Sequence, residues 1–179
     1  MKNPNSSSSI PHSPARNGQS LVEAMVAITA LTVSFLGISS LLTRSLVLNK
    51  VTTNELTATY LASEGIEIAK NLIDHDVHAP GTGWGTCFQG RVDFELDYTT
   101  TNCSALSGFN ASHYLLYDAN QNLYGYESGS PTTFTREIIV NNPTGYEIQV
   151  GSIVRWSSSG GTQSVYLQDD FYNWAPSTP

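Results

Sequence analysis

The longest apolar pattern in the chain runs from Ala24 to Thr43, AMVAITALTVSFLGISSLLT, 20 residues without a formal charge. As a helix this segment spans about 30 Å, the thickness of one bilayer core. Thr29, Thr32, Ser34, Ser39, Ser40 and Thr43 dilute its Leu, Val and Ile, so insertion is allowed rather than strongly driven. A buried core helix is the alternative, disfavoured because no comparable apolar face follows to cover it all round. No Pro stands between Gly18 and Pro80, and the residues after Thr43 are largely good helix formers, which predicts one long helix. In its second half Val51, Ala58, Ala62, Gly65, Ala69 and Leu72 trace a single face. Small side chains dominate that face and let a sheet or helix approach closely. Asp74, His75, Asp76 and Pro80 are expected to end the helix, and Gly37 beside Ser39 and Ser40 is its weakest point.

Further on, the period changes to two. Val92, Phe94, Leu96 and Tyr98 alternate with Asp93, Glu95 and Asp97, predicting a strand with one buried and one wet face. Tyr114 to Tyr117 and Leu123 to Tyr126 flank Asp118 to Asn122 as a hairpin, and Phe134 to Val140 and Tyr146 to Trp156 flank Asn141 to Gly145 as a second. A last strand near Val165 to Leu167 precedes the aromatic ending FYNW. Five or six antiparallel strands on a helix define an α+β fold, a long N-terminal helix packed on a β-sheet head.

Charge separates the chain into two zones. Of 179 residues only 13% are charged, with a net charge of −7, against a usual charged share of about 25%. Residues 1–50 carry +3 and the remainder −10. Eight Lys and Arg are spread along the whole chain and do not cluster as nucleic-acid binding requires, so that partner class is not expected. Lys2 and Arg16 before the apolar run are matched by Arg44 and Lys50 after it, so loop charge does not orient the segment. The opening MKNPNSSSSIPHSPARNG has no apolar period and is expected to be disordered and easily cleaved. An ordinary secretory signal would end in a small-residue site, and RSLVLNKV follows Thr43 instead.

In NGQSLVEAMVAITAL, residues 17 to 31, a Gly precedes a polar pair and a lone Glu opens an apolar helix. This stretch closely resembles the type IV prepilin signature. In that family a membrane peptidase cuts directly after the Gly on the cytoplasmic side and methylates the new amine. The resemblance implies cleavage between Gly18 and Gln19, N-methylation of Gln19, and a filament-assembly role for Glu23, the fifth residue of the mature chain. Leu21 and Val22 match the apolar third and fourth places. The first mature place, usually Phe, is Gln here. An N-terminal Gln can cyclise, so methylation and cyclisation compete for one amine. The segment ATYLASEGIEIAKNLID, residues 58 to 74, resembles the phrase after the membrane helix in proteins related to PilV-type minor pilins. TFTREIIV, IQVGSIVRW and VYLQDDFYNW are similar to strand phrases of the same group.

These similarities imply a cleaved leader at 1–18, a transmembrane and filament-core helix at 19–43, a helix continuing into the head at 44–79, and a β-rich extracytoplasmic head at 80–179. The chain would be a major or minor pilin, or a pseudopilin. It would sit in the cytoplasmic membrane with its N-terminus cytoplasmic, then pass to a surface filament. Implied partners are the prepilin peptidase, other pilin subunits, a pilus assembly platform and the membrane before assembly. From the residues alone, Glu23 is a carboxylate in hydrocarbon, which costs several kcal/mol unless protonated or paired. A free amine at Gln19 is a candidate partner, and the family places that amine against a neighbouring subunit's Glu. The plainer alternative is a surface Glu favoured by the helix dipole.

Other chemistry is weakly indicated. Cys87 and Cys103 enclose a 17-residue loop, and a disulfide there would stabilise the fold by roughly 3 kcal/mol in the chain-entropy model. It needs an oxidising location, and two small buried residues in a reduced protein are the alternative. Asp74, His75, Asp76 and His78 crowd the helix end, but no second ligand pair accompanies them, so no metal is expected. Asp118, Asn120 and Asn122 copy half of a calcium loop whose Gly is replaced by Leu123, and an Asx turn fits better. SSSGG at 157–161 reads as a flexible loop rather than a nucleophile turn. His12, His75, His78 and His113 pair with no nucleophile by spacing, so neither an enzyme nor a cofactor is expected. Tyr114, Tyr117, Tyr124 and Tyr126 form either an exposed patch or core. The rival function is a monomeric surface-binding protein or adhesin on an uncleaved signal anchor.

Overall fold

The computed structural model describes residues 17–78, 83–89, 93–158 and 160–174, without the side chains of 17–19 and 142–144. Two units divide the chain, Met1–Leu48 and Asn49–Pro179. One helix, α1, spans Asn17–His78, in keeping with a stretch that contains no Pro. Residues 1–16, with His12, and Pro80 and Val92 lie outside the described residues.

Within the second unit, the α1 residues from Ala58 to Ile73 supply one buried face. Ala58, Ala62 and Ala69 are wholly buried, with Leu61, Leu72 and Ile73 at 2% exposure or less. Val51, expected on that face, is 40% exposed, so the buried stripe starts two turns later. The strands are β1 (Asp93–Glu95), β2 (Ser107–Gly108), β3 (Leu116–Asp118), β4 (Leu123–Gly125), β5 (Ser130–Pro131), β6 (Phe134–Thr144), β7 (Glu147–Ser158) and β8 (Gly161–Tyr172). They form a five-stranded sheet in the order β2-β1-β6-β7-β8 and a three-stranded sheet in the order β4-β3-β5. Every pairing is antiparallel. The fold is α+β, a long N-terminal helix packed on antiparallel sheet in a pilin-like architecture.

The described strands number eight, in two sheets, against the five or six expected from sequence, and the last three strands of the large sheet are longer than their apolar cores suggest. Residues Ser157 and Ser158 belong to β7, and Gly161, at φ 110°, opens β8. Ser157, Ser158 and Gly161 of SSSGG are therefore paired strand residues and not loop, with Ser158 opposite Gly161; Ser159 lies outside the described residues. Asp74 to His78 form the last turn of α1, which ends at His78. The strand with a supposed wet face is also different. Glu95 and Asp97 are 6% and 4% exposed, because both carboxylates accept hydrogen bonds from backbone amides of other segments.

The sheet's inner face is read from the register, where Phe134 faces Trp156, Arg136 faces Val154, Ile138 faces Ser152 and Val140 faces Val150. Apolar burial falls into two clusters. One joins Ile68, Leu72, Phe94, Leu96, Ile138 and Val150, and the other joins Ala58, Leu61, Leu115, Phe134, Val154 and Trp156. Along α1, Gly65 stands between the two sets; along β6, Arg136 does. A Cβ on Gly65 would lie 2.6 Å from Ile138 Cδ1, 2.9 Å from Ser152 Oγ and 3.0 Å from Arg136 Cδ. Helix propensity alone would make Gly65→Ala stabilising by about 1 kcal/mol. Here overpacking reverses the sign, and we expect a loss of about 1–3 kcal/mol in urea unfolding. A gain would show that the helix is free to move off the sheet.

Candidate functional site

The first unit consists, among described residues, of helix alone. Its apolar side chains are exposed all round: Leu21 64%, Met25 62%, Leu31 70%, Phe35 70%, Ile38 65%, Leu42 62%. Glu23 is exposed among them. The hydroxyls that dilute the run are satisfied by the helix itself. Thr29 donates to Val26 O at 2.8 Å, Thr32 to Thr29 O at 2.9 Å, Ser34 to Ala30 O at 2.7 Å and Thr43 to Ser39 O at 3.0 Å. Polar groups bonded back to their own helix are compatible with hydrocarbon. This stretch is long and apolar enough to cross a bilayer, a property that membrane anchors share with signal sequences. An all-round apolar helix is stable in contact with lipid or with other apolar helices, and not as a water-exposed surface. Gly18 and Gln19 stand in the first turn of α1.

In the head, the structure joins Cys87 and Cys103 with Cα atoms 5.1 Å apart. Asp76, 1% exposed, lies against the bridge. Its Oδ2 accepts the Cys87 N–H at 2.6 Å and its Oδ1 is 3.2 Å from Cys103 Sγ. Asp76 thus ties the bridged loop to the end of α1. Asp74, His75 and His78 point outward and are exposed, with His78 Nδ1 2.7 Å from Asp74 O. The helix-end cluster is not gathered into one site. Among the described residues, Asp76 and the two cysteines form a group whose ligand-type atoms come within 4.8 Å of one another, and both sulfurs are committed to the bridge.

The calcium-like sequence folds as a turn. Asp118 Oδ1 accepts from Asn120 N at 2.8 Å and Gln121 N at 3.4 Å, and Asn122 adopts φ 58°. Of the four tyrosines, Tyr117 and Tyr124 pair at 5.0 Å and Tyr126 stacks on His113 at 4.6 Å. Tyr114 is exposed at 45%.

Sequence reasoning missed the polar core. Arg136 is 0% exposed. Its Nη1 donates to Leu61 O at 3.0 Å and Glu64 Oε2 at 3.3 Å, and its Nη2 donates to Leu96 O at 2.5 Å. One side chain therefore binds helix, β6 and the segment after β1. The period-2 pattern held the signal, since position 136 shares a face with Phe134, Ile138 and Val140.

Asp97 organises a second junction. Its Oδ1 accepts from Thr99 Oγ1 at 2.6 Å, Thr99 N at 2.9 Å and Thr100 Oγ1 at 3.3 Å, and its Oδ2 accepts the Tyr126 N–H at 2.9 Å. Burial pushes this carboxyl up, but the hydrogen bonds from Thr99, Tyr126 and Thr100 together outweigh burial and hold it below its ordinary value. A depressed carboxyl contributes stability above the unfolded value, near 3.8, and loses it as pH falls through the folded one. Asp97→Asn should cost about 1–3 kcal/mol at pH 7, and the gap to wild type should close in acid below that unfolded value. Urea unfolding across pH checks this; a gap that stays constant in acid would remove Asp97 from the acid response. Burial drives the Tyr126 phenol up to about 12, with Arg136 opposing and Glu95 and Asp97 adding to it.

Comparison with family models, with curated proteins and with solved structures gives no match for this chain.

Proposed function

We propose that this chain is a structural subunit of a type IV pilus or related filament, cut after Gly18 by a prepilin peptidase and assembled through its N-terminal helix. The carrying observation is an apolar helix exposed on every side, opened by a single carboxylate at Glu23 and followed on the same helix by a folded head. Lipid covers that surface before assembly and the helices of sibling subunits cover it afterwards. Burial at about 25 cal/mol per Å² of apolar area drives the association without selecting a register; a paired Glu23 selects one. The head's own chemistry is structural: its buried carboxylates, Asp76, Glu95 and Asp97, are occupied in holding segments together. Partners on this reading are the peptidase, other pilins and an assembly platform, and the head lies outside the cytoplasm, where a disulfide persists.

Mass spectrometry of the mature N-terminus, with and without a prepilin peptidase, tests the processing. A start at Gln19 that depends on the peptidase is expected. A chain that keeps residues 1–18 in both backgrounds would overturn the reading in favour of a signal-anchored surface protein.

A further inference from the structure

A cavity of about 470 Å³ opens on the sheet face turned away from α1. Three strands form its floor. Thr135 on β6 lies directly opposite Arg155 on β7, and Thr162 on β8 lies opposite Ser157. The Arg155 Nη1 donates to Glu137 Oε2 at 2.6 Å, with the Arg side chain 36% and the Glu side chain 14% exposed. The segment between β2 and β3 supplies the wall. Phe109 places its ring centroid 5.7 Å from the Arg155 guanidinium carbon, and Tyr114 is 45% exposed.

This wall is held in place rather than draped. Glu95, 6% exposed, accepts the Asn110 N–H on Oε1 at 2.9 Å and meets His113 Nδ1 through Oε2 at 2.7 Å. Asn110 in turn accepts from Ser112 N at 2.9 Å through its side chain and from His113 N at 2.9 Å through its carbonyl. Both oxygens of a buried carboxylate are thus spent on the four residues between Phe109 and Tyr114. The two rings are set before any ligand arrives, which lowers the ordering cost of binding.

The lining selects by charge and shape. Glu137 and Arg155 cancel, so an anion meets the carboxylate and a cation meets the guanidinium. Side by side, however, they offer a fixed fork of N–H donors and a carboxylate acceptor. Thr135 and Thr162 contribute hydroxyls, and Tyr114 presents an apolar ring. Neighbouring hydroxyl groups on a ring with one apolar C–H face satisfy all of these at once. The cavity's size falls within the range of small-molecule sites, about 300–1,000 Å³. We propose that this cavity binds a neutral saccharide, stacked on Tyr114 and hydrogen-bonded across the Glu137–Arg155 pair. The inference does not rest on filament assembly, since every residue it uses belongs to the head.

Saturation-transfer NMR on the full chain in a detergent without a sugar headgroup tests it. The probes are the methyl glycosides of glucose, galactose and mannose, together with N-acetylglucosamine and lactose; sialyllactose and glucosamine are the charged counterparts. We expect transfer to at least one neutral sugar, stronger than to either charged one. The signal should fall about tenfold in Tyr114→Ala, which truncates the platform, and in Thr162→Trp, which fills the cavity from its exposed rim. It should persist in Tyr166→Ala, whose ring lies over Gly151 elsewhere on the same face. Urea unfolding followed by far-ultraviolet circular dichroism reports that each variant is folded. Transfer to no neutral sugar, transfer to a charged sugar alone, or a signal unchanged in folded Thr162→Trp would each overturn the proposal.

Discussion

Arg136→Ala is expected to lower the unfolding free energy of the head by about 3–5 kcal/mol, the range for removing one partner from a buried charged network. The guanidinium is fully buried and donates to two backbone carbonyls, Leu61 O and Leu96 O, besides Glu64. Truncation leaves those acceptors without this donor and opens a cavity beneath Gly65, whose Cα faces the Arg136 side chain. Two comparisons separate the causes. Arg136→Met restores volume without charge, so its cost reports the lost hydrogen bonds. Arg136→Lys restores charge but not the fork, and should recover less than half of the loss because an ammonium cannot span carbonyls on two segments in the same geometry. Urea unfolding followed by Trp156, 5% exposed and 6.1 Å from the Phe134 ring, provides the measurement. A loss below about 1 kcal/mol for Arg136→Ala would mean that the two apolar clusters hold helix and sheet together unaided.

The gap between sequence and structure follows from which interactions are local. The long helix was legible because its causes lie within a few residues of one another: an uncharged run, no Pro, and small residues at helical spacing. Hairpins were legible for the same reason, since Asp118 and Asn122 build their own turn. Strand length was not, because β8 continues through Gln168, Asp169 and Asp170 on the strength of its partner β7 and not of its own apolar content. The burial of Glu95 and Asp97 depends on amides 15 and 29 residues away, and no local pattern encodes that. Arg136 is intermediate. Its place on the apolar side of TFTREIIV was visible, but its carbonyl acceptors on α1 and beside β1 were not. The proposed roles of Gly18, Gln19 and Glu23 rest on the resemblance of one short continuous segment, residues 17 to 31, and need no tertiary contact to be read.

If the filament reading holds, Glu23→Ala should leave cleavage after Gly18 and residence in the membrane intact while reducing the share of chains in sheared filaments by about tenfold or more. Removing a carboxylate lowers the cost of placing this helix in lipid, so membrane insertion should not suffer. Assembly should suffer, because the apolar residues around position 23 are similar in exposure on every side, Val22 at 60% and Val26 at 62%, and apolar packing alone admits several registers. A charge pair at 4 Å is worth about 4 kcal/mol at an effective dielectric of 20, and about 1.4 kcal/mol already separates two registers tenfold. The same logic reaches Gln19. A cyclised N-terminus has no ammonium group with which to pair, so pyroglutamyl chains should collect in the membrane fraction and chains with a free or methylated amine in the filament fraction. Mass spectrometry of the two fractions, alongside quantitative immunoblots of Glu23→Ala and Glu23→Gln, reads both effects. Wild-type incorporation of Glu23→Ala, or equal pyroglutamyl content in the two fractions, would show that register is set by packing or by the head, and that the acid in the membrane has another purpose.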